Sequence, residues 1–160
     1  MITTNYREIK DETYPDGDYY VYVIRCGEDT LYIGESTCAP SRVWEHFRGQ
    51  RTNANLSQAI EVAGTGNITV DMYDATDIVK GIGLPKCLIE SRSQLWDVSY
   101  DAAESLEGKD ARKEYEEKLI YEMSPLCNAV GKKSNPQKVL ELGDKYYCKL
   151  RVANDGVKLP

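Results

Sequence analysis

A chain of 160 residues with 41% hydrophobic content has the size of one domain and can bury a core. Its formal net charge of -6, from Lys+Arg 20 against Asp+Glu 26, is too small for a disordered polyelectrolyte and the wrong sign for a general nucleic-acid binder, since phosphate contacts need cations. No apolar run approaches the roughly 20 residues of a membrane helix, and Met1 to Arg7 lacks the apolar stretch of a signal peptide, so the expectation is a soluble intracellular domain over residues 1–160.

In chain order, Asp18 to Cys26 is dense in β-branched and aromatic residues and predicts a buried strand. Gly27 to Thr30 predicts a turn and Leu31 to Gly34 a second strand, the two forming an antiparallel hairpin with a four-residue connection. Pro40 then opens a helix that runs to about Phe47 and stops at Gly49. A second helix covers Asn55 to Ala63, with Leu56, Ala59, Ile60 and Ala63 as its apolar stripe. From Asn67 to Tyr73, Ile68, Val70 and Met72 alternate with Thr69 and Asp71, which predicts a third strand. Between Asp74 and Asp110 the pattern weakens: Gly81 to Pro85 predicts a loop, Lys86 to Val98 a helix, and Leu106-Glu107-Gly108 a break. Ala111 to Met123 predicts a helix with Tyr115, Leu119 and Met123 on one face, stopped by Pro125. Tyr146 to Val152 predicts a last strand. The fold class expected is α/β (α+β), a small sheet with the hairpin first, flanked by helices. No Gly-rich phosphate loop follows a strand.

Charge is uneven along this order. Residues 67–117 carry 6 basic and 12 acidic side chains, whereas residues 118–160 carry 8 and 4. The tail can therefore present a basic face through Lys132, Lys133, Lys138, Lys145, Lys149 and Arg151, against the plainer reading of a solvated surface. Five cysteines, at 26, 38, 87, 127 and 148, form no Cys-x-x-Cys pair, and His46 is the only histidine. Structural zinc and a disulfide framework are both disfavoured; reduced thiols are expected. Tyrosine is over-used, with 12 Tyr against one Phe, so many hydroxyls must be satisfied or used.

Four polar positions stand out. Tyr22 and Tyr32 lie on the two hairpin strands. Arg42 and His46, four apart, share a helix face, and Arg42 falls in the first turn, where unpaired N–H groups favour an anion. Glu116 lies beside Leu119-Ile120, which must face the core. Taken singly, each has an ordinary structural reading as a packed tyrosine, a surface pair or a solvated acid.

Together they resemble a known pattern. Tyr20-Val21-Tyr22 and Tyr32-Ile33-Gly34, with nine residues between Tyr22 and Tyr32, resemble the two-part signature of the GIY-YIG nuclease superfamily. Arg42 lies eight residues after Gly34, where the family's arginine is expected, and His46 lies four further on. Glu116-Glu117-Lys118-Leu119-Ile120 is similar to its Glu-x-x-Leu-Ile block, and Pro125-Leu126-Cys127-Asn128 to its closing Pro-x-x-Asn. The resemblance covers residues 18–73 and 112–130. It departs at Tyr20, where the family has glycine, at Glu35, where a lysine often stands, and at Asn53, where some homing enzymes carry another histidine.

The resemblance implies a three-stranded sheet within a core of residues 18–130, a helical insertion over 74–111 before the metal-ligand helix, and a basic C-terminal extension, 131–160. It implies a metal-dependent DNA endonuclease that hydrolyses phosphodiester bonds with one Mg²⁺ (or Mn²⁺) ion held by Glu116. Arg42 would stabilise transition-state charge, and Tyr22 would act as general base with His46 as its hydrogen-bond partner. Tyr32 would orient water or phosphate, and Asn128 would tie the site together. DNA is the implied partner, in the cytoplasm of a bacterial or phage-infected cell, with a homodimer or sequential nicks for double-strand cleavage and no membrane. The alternative is a catalytically inactive module of the same fold that binds nucleic acid or protein, which the acidic charge and Glu35 favour.

Overall fold

The computed structural model describes residues 1–82, 106–128 and 141. Within them four strands, β1 (Ile2–Asn5), β2 (Tyr19–Cys26), β3 (Asp29–Glu35) and β4 (Ile68–Asp74), form one antiparallel sheet in the order β1-β4-β2-β3. Five α-helices accompany it: α1 (Tyr6–Asp11), α2 (Ala39–Phe47), α3 (Ala54–Ala63), α4 (Ala75–Gly81) and α5 (Leu106–Met123). The class is mixed α/β, as expected.

Helices cover both faces of the sheet, which explains why β2 is buried almost throughout rather than alternating. On one face Tyr22, Ile24, Val70 and Met72 pack with Ile9 of α1, Val43 of α2 and Leu56, Ala59, Ile60 and Ala63 of α3. The stripe read from α3 is therefore its buried face. On the other face Val21, Val23, Ile33 and Tyr73 pack with Ile78 and Val79 of α4 and with Ala111, Tyr115 and Leu119 of α5.

Two register shifts adjust which side chains meet. Between Tyr19 and Val21 the pairing with β4 skips Tyr20, and between Ile24 and Arg25 the pairing with β3 skips Leu31. A bulge lets neighbouring residues face the same side. Tyr20 and Val21 thus share the α5 face, and Leu31 and Tyr32 both join the α2 face.

Several boundaries differ from expectation. The sheet has four strands rather than three. β1 is only four residues long with one apolar residue, too short to show alternation, and its partner lies far away in sequence, Ile2 opposite Met72. The hairpin connection is two residues, Gly27 and Glu28, not four, since Cys26 already pairs with Asp29; Gly27 supplies the left-handed backbone at φ 57°. The short helix α1 was not expected; Asn5 caps it by accepting from the Glu8 N–H. Neither was α4, which Asp74 caps through the Asp77 N–H. No break occurs at Leu106-Glu107-Gly108, because α5 already runs through it; the cost of about 1 kcal/mol for a helical glycine is small beside burial of the helix face. Met123, expected on the core stripe, is exposed, and the stripe is instead Ala111, Arg112, Tyr115 and Leu119. The helix expected at 86–98, the strand at 146–152 and the basic tail lie outside the described residues.

One buried carboxylate ties three strands together. Asp71 of β4 accepts from Arg25 Nε and Nη2 of β2 at 2.7 and 3.0 Å and from the Thr3 hydroxyl of β1 at 2.7 Å. Replacing it leaves a half-buried guanidinium and a hydroxyl without their acceptor. Asp71→Ala is expected to lower unfolding free energy by about 2–3 kcal/mol, read as a lower urea midpoint at unchanged slope.

Candidate functional site at the sheet edge

β3 is an edge strand, and its outer backbone groups would be open but for the segment that follows α5. Leu126 and Cys127 donate their N–H groups to the carbonyls of Thr30 and Leu31 at 3.0 and 2.8 Å. Asn128, buried, then clamps Ile33 with its side-chain amide: Oδ1 accepts the Ile33 N–H at 2.9 Å and Nδ2 donates to the Ile33 carbonyl at 2.8 Å. Ile33 lies between Tyr32 and Gly34, so the clamp fixes the backbone carrying both. Asn53 joins from α3. Its Oδ1 caps that helix through the Leu56 N–H, and its Nδ2 donates to the Cys127 carbonyl at 2.9 Å. This asparagine is a strut between α3 and the segment after α5.

On the α2 side of the edge the two phenols and the imidazole gather. The Tyr22 hydroxyl lies 2.7 Å from His46 Nε2, and His46 Nδ1 lies 2.7 Å from the Thr52 hydroxyl. The Tyr32 ring packs on both, with centroids 6.1 Å from Tyr22 and 5.0 Å from His46. Gly34 is required by this packing: a Cβ there would lie 2.3 Å from the Tyr22 hydroxyl. Arg42 lies close enough for its charge to favour the ionised form of both phenols. The expected i, i+4 face of α2 is therefore real, although Arg42 stands one residue past the free N–H groups, its own N–H already bonding the Cys38 carbonyl.

Arg42 is also shared. Its Nη1 donates to Glu45 Oε2 at 2.7 Å, while Arg51 Nη2 donates to Glu45 Oε1 at 2.6 Å. These two guanidinium groups hold the Glu45 carboxyl below its ordinary range.

Glu116 reaches the same edge from the opposite face. Its carboxylate lies near the Glu35 backbone and is close enough for its charge to raise both Tyr22 and Tyr32. Burial, then the charges of Glu35 and Glu117, push it up to about 7. Burial likewise pushes Tyr22 well above the usual phenol range despite the nearby charge of Arg42. Burial first, and then Arg42, lower His46 to about 4. At neutral pH, Tyr22 is thus a phenol and His46 a neutral imidazole.

Two of the departures from the family pattern, Tyr20 and Glu35, meet a residue that went unnoticed in the sequence. Arg112 is 4% exposed, donates through Nε to Glu35 Oε2 at 3.0 Å and lies over the Tyr20 ring at 5.9 Å. Glu35 pairs across the sheet with Val21, whose side chain faces α5, so its carboxylate lies on that face and is ion-paired there. The available signal was spacing: Arg112 is four residues before Glu116 and so shares its helix face. Thr52 and Asn53 were legible only as a loop.

All six expected residues therefore converge on β3: Tyr22, Tyr32, Arg42 and His46 from one side, Glu116 from the other, and Asn128 on the edge itself. A hollow of about 310 Å³ borders His46 but none of the other five; Arg48, Ser57 and Glu61 are in its wall. Among the described residues, no group of three or more His, Cys, Asp or Glu gathers as a metal cluster. Cys26, Cys38 and Cys127 are free thiols, and no described helix is long and apolar enough to cross a membrane. Comparison with protein-family models, with curated proteins and with solved structures returned no match.

A fully buried neutral histidine links stability to pH. The unfolded imidazole titrates near 6.5 and the folded one at about 4, so its contribution is fully present above pH 6.5 and is lost as the pH falls towards about 4. His46→Gln is expected to lose about 2–3 kcal/mol less than the parent between pH 7.5 and pH 4.5, measured by urea denaturation at both values.

Proposed function

We propose that the chain is a metal-dependent endonuclease of the GIY-YIG type that hydrolyses phosphodiester bonds in DNA. The observation that carries this reading is the meeting of Glu116 with Tyr22, Tyr32 and Arg42 at one strand edge, brought there from opposite faces of the sheet. The four-stranded arrangement with its opening β2–β3 hairpin is compatible with the family's layout, with β1 as an added edge strand.

The donor chemistry fits a hard divalent cation. Glu116 is an incompletely neutralised carboxylate in a half-buried place, beside a second carboxylate, and one or two oxygen ligands suit an ion that keeps most of its waters. Glu116 would hold Mg²⁺ or Mn²⁺, which when bound supplies charge neutralisation at the phosphate and the leaving oxygen.

The remaining steps belong to the chain's own side chains. Arg42, half-exposed, turns from Glu45 towards a non-bridging phosphate oxygen and stabilises the charge that develops there. Tyr22 is neutral at rest, so it serves as a relay rather than as a phenolate. Its oxygen takes a proton from the attacking water while its own proton passes to His46 Nε2, 2.7 Å away. The water's freed electron pair forms the new bond to phosphorus, and the bond to the leaving oxygen breaks. Tyr32, packed against Tyr22, orients the water, and Asn128 keeps the Tyr32–Gly34 backbone in place without touching the reacting atoms.

The existing Arg42–Glu45 pair favours a second reading, a module that binds without cutting. Supercoiled plasmid separates the two. Cleavage is expected with Mg²⁺ and none with chelator, and Arg42→Ala and Glu116→Ala are each expected to lower it at least 100-fold (about 2.7 kcal/mol) with unchanged circular dichroism. No cleavage by the parent, or full cleavage by both variants, overturns the nuclease reading. A binding readout accompanies it. Mg²⁺ is expected to raise the melting temperature of the parent and not of Glu116→Gln. In chelator, Glu116→Gln is expected to melt higher than the parent, because a crowded buried charge is gone.

A further inference from the structure

We propose that Thr52 is a positioning residue that sets the tautomer of His46: its hydroxyl oxygen accepts the Nδ1–H, leaving the Nε2 lone pair to receive the hydroxyl proton of Tyr22. The inference rests on the reading of Tyr22 as the relay for the attacking water, and it names the group that keeps that relay open.

His46 is 2% exposed and sits between two hydroxyls, each 2.7 Å from a ring nitrogen. A neutral imidazole has one N–H and one lone pair, so one hydroxyl must accept and the other must donate. Two arrangements satisfy the distances. If Thr52 donates, His46 Nε2 carries the ring proton and points it at the Tyr22 oxygen. That nitrogen then has no lone pair to receive the phenol proton, which has nowhere on the ring to go. If Thr52 accepts, the Tyr22 proton has Nε2 as its destination, and the imidazolium formed there keeps its Nδ1–H bonded. Only the second arrangement lets the proton leave.

The loop is shaped for this contact. Arg51 adopts the left-handed region at φ 46°, and the consecutive residues Arg51 and Thr52 turn back onto consecutive residues of α2, Glu45 and His46. The titratable and charged groups around the imidazole and its partner phenol are Tyr22 and Tyr32 from the sheet, Arg42 and Glu45 from α2 and Glu116 from α5. None of them touches Nδ1, where Thr52 is the recorded partner.

The single histidine makes the test direct, since one imidazole gives one pair of nitrogen signals. In the ¹⁵N-labelled full chain, near neutral pH and in chelator, long-range ¹H–¹⁵N spectra are expected to show the proton on Nδ1 and an unprotonated Nε2. Thr52→Val is expected to move the proton to Nε2, and Thr52→Ser to restore it. A parent protonated at Nε2 overturns the proposal, as does a Thr52→Val spectrum with Nδ1–H retained. The parent spectrum decides even if the valine variant does not fold. It also needs no cleavage, so a chain that fails to cut plasmid sinks the nuclease reading while the tautomer is still read. In the cleavage assay, Thr52→Val is expected to lower kcat about tenfold at unchanged KM, with recovery in Thr52→Ser; undiminished kcat overturns the proposal.

Discussion

The side-chain amide of Asn128 closes two hydrogen bonds on the backbone of Ile33, and the rest of the candidate site is referred to that strand edge. An edge strand normally leaves a row of N–H and C=O groups unpaired. Here outer groups of β3 are taken in turn by Leu126, Cys127 and Asn128. Saturating that edge and fixing the backbone that carries Tyr32 and Gly34 are therefore one event. The amide has both a donor and an acceptor in a fixed plane, which is what a single residue of an edge strand offers.

Burial governs the electrostatics at this edge. Desolvation is the first cause of the shift in Tyr22, Tyr32, His46 and Glu116, and each moves towards its uncharged form. The site is thus folded in a state from which charge has been withdrawn, while two of the cations around it are committed, Arg42 to Glu45 and Arg112 to Glu35. A structural arrangement built only for stability gains little from an acid held to about 7 beside a second acid. In the proposed reading, that cost is what a bound cation would relieve.

Much of this was legible because the informative residues are spaced by the geometry of their own elements. The hairpin phenols, the i, i+4 pair on α2 and the Glu-x-x-Leu-Ile block each report a face. The stripe of α3 read correctly because Leu56, Ala59, Ile60 and Ala63 are all apolar and all buried. What failed was whatever depends on distant partners. Ile2–Asn5 is a strand because β4 offers an edge, not because of its own pattern. Gly108 is helical because it belongs to an 18-residue helix anchored by buried Ala111, Tyr115 and Leu119. Glu35 looked like an anion in the way of phosphate, since nothing local reveals that Arg112, 77 residues on, waits on the other face. Thr52 carries no pattern at all; only the fold brings a loop hydroxyl to an imidazole.

The two halves of the site also differ in how far the chain must travel to make them. Tyr22 and His46 are 24 residues apart and meet through neighbouring elements, whereas the Asn128 amide spans 95 residues to reach Ile33. Closing the longer loop costs more entropy and comes later. During synthesis the phenols, guanidinium and imidazole all precede residue 116, and Asn128 follows it. In the proposed reading the site would be complete only once residue 128 has been made, a delay written into connectivity alone.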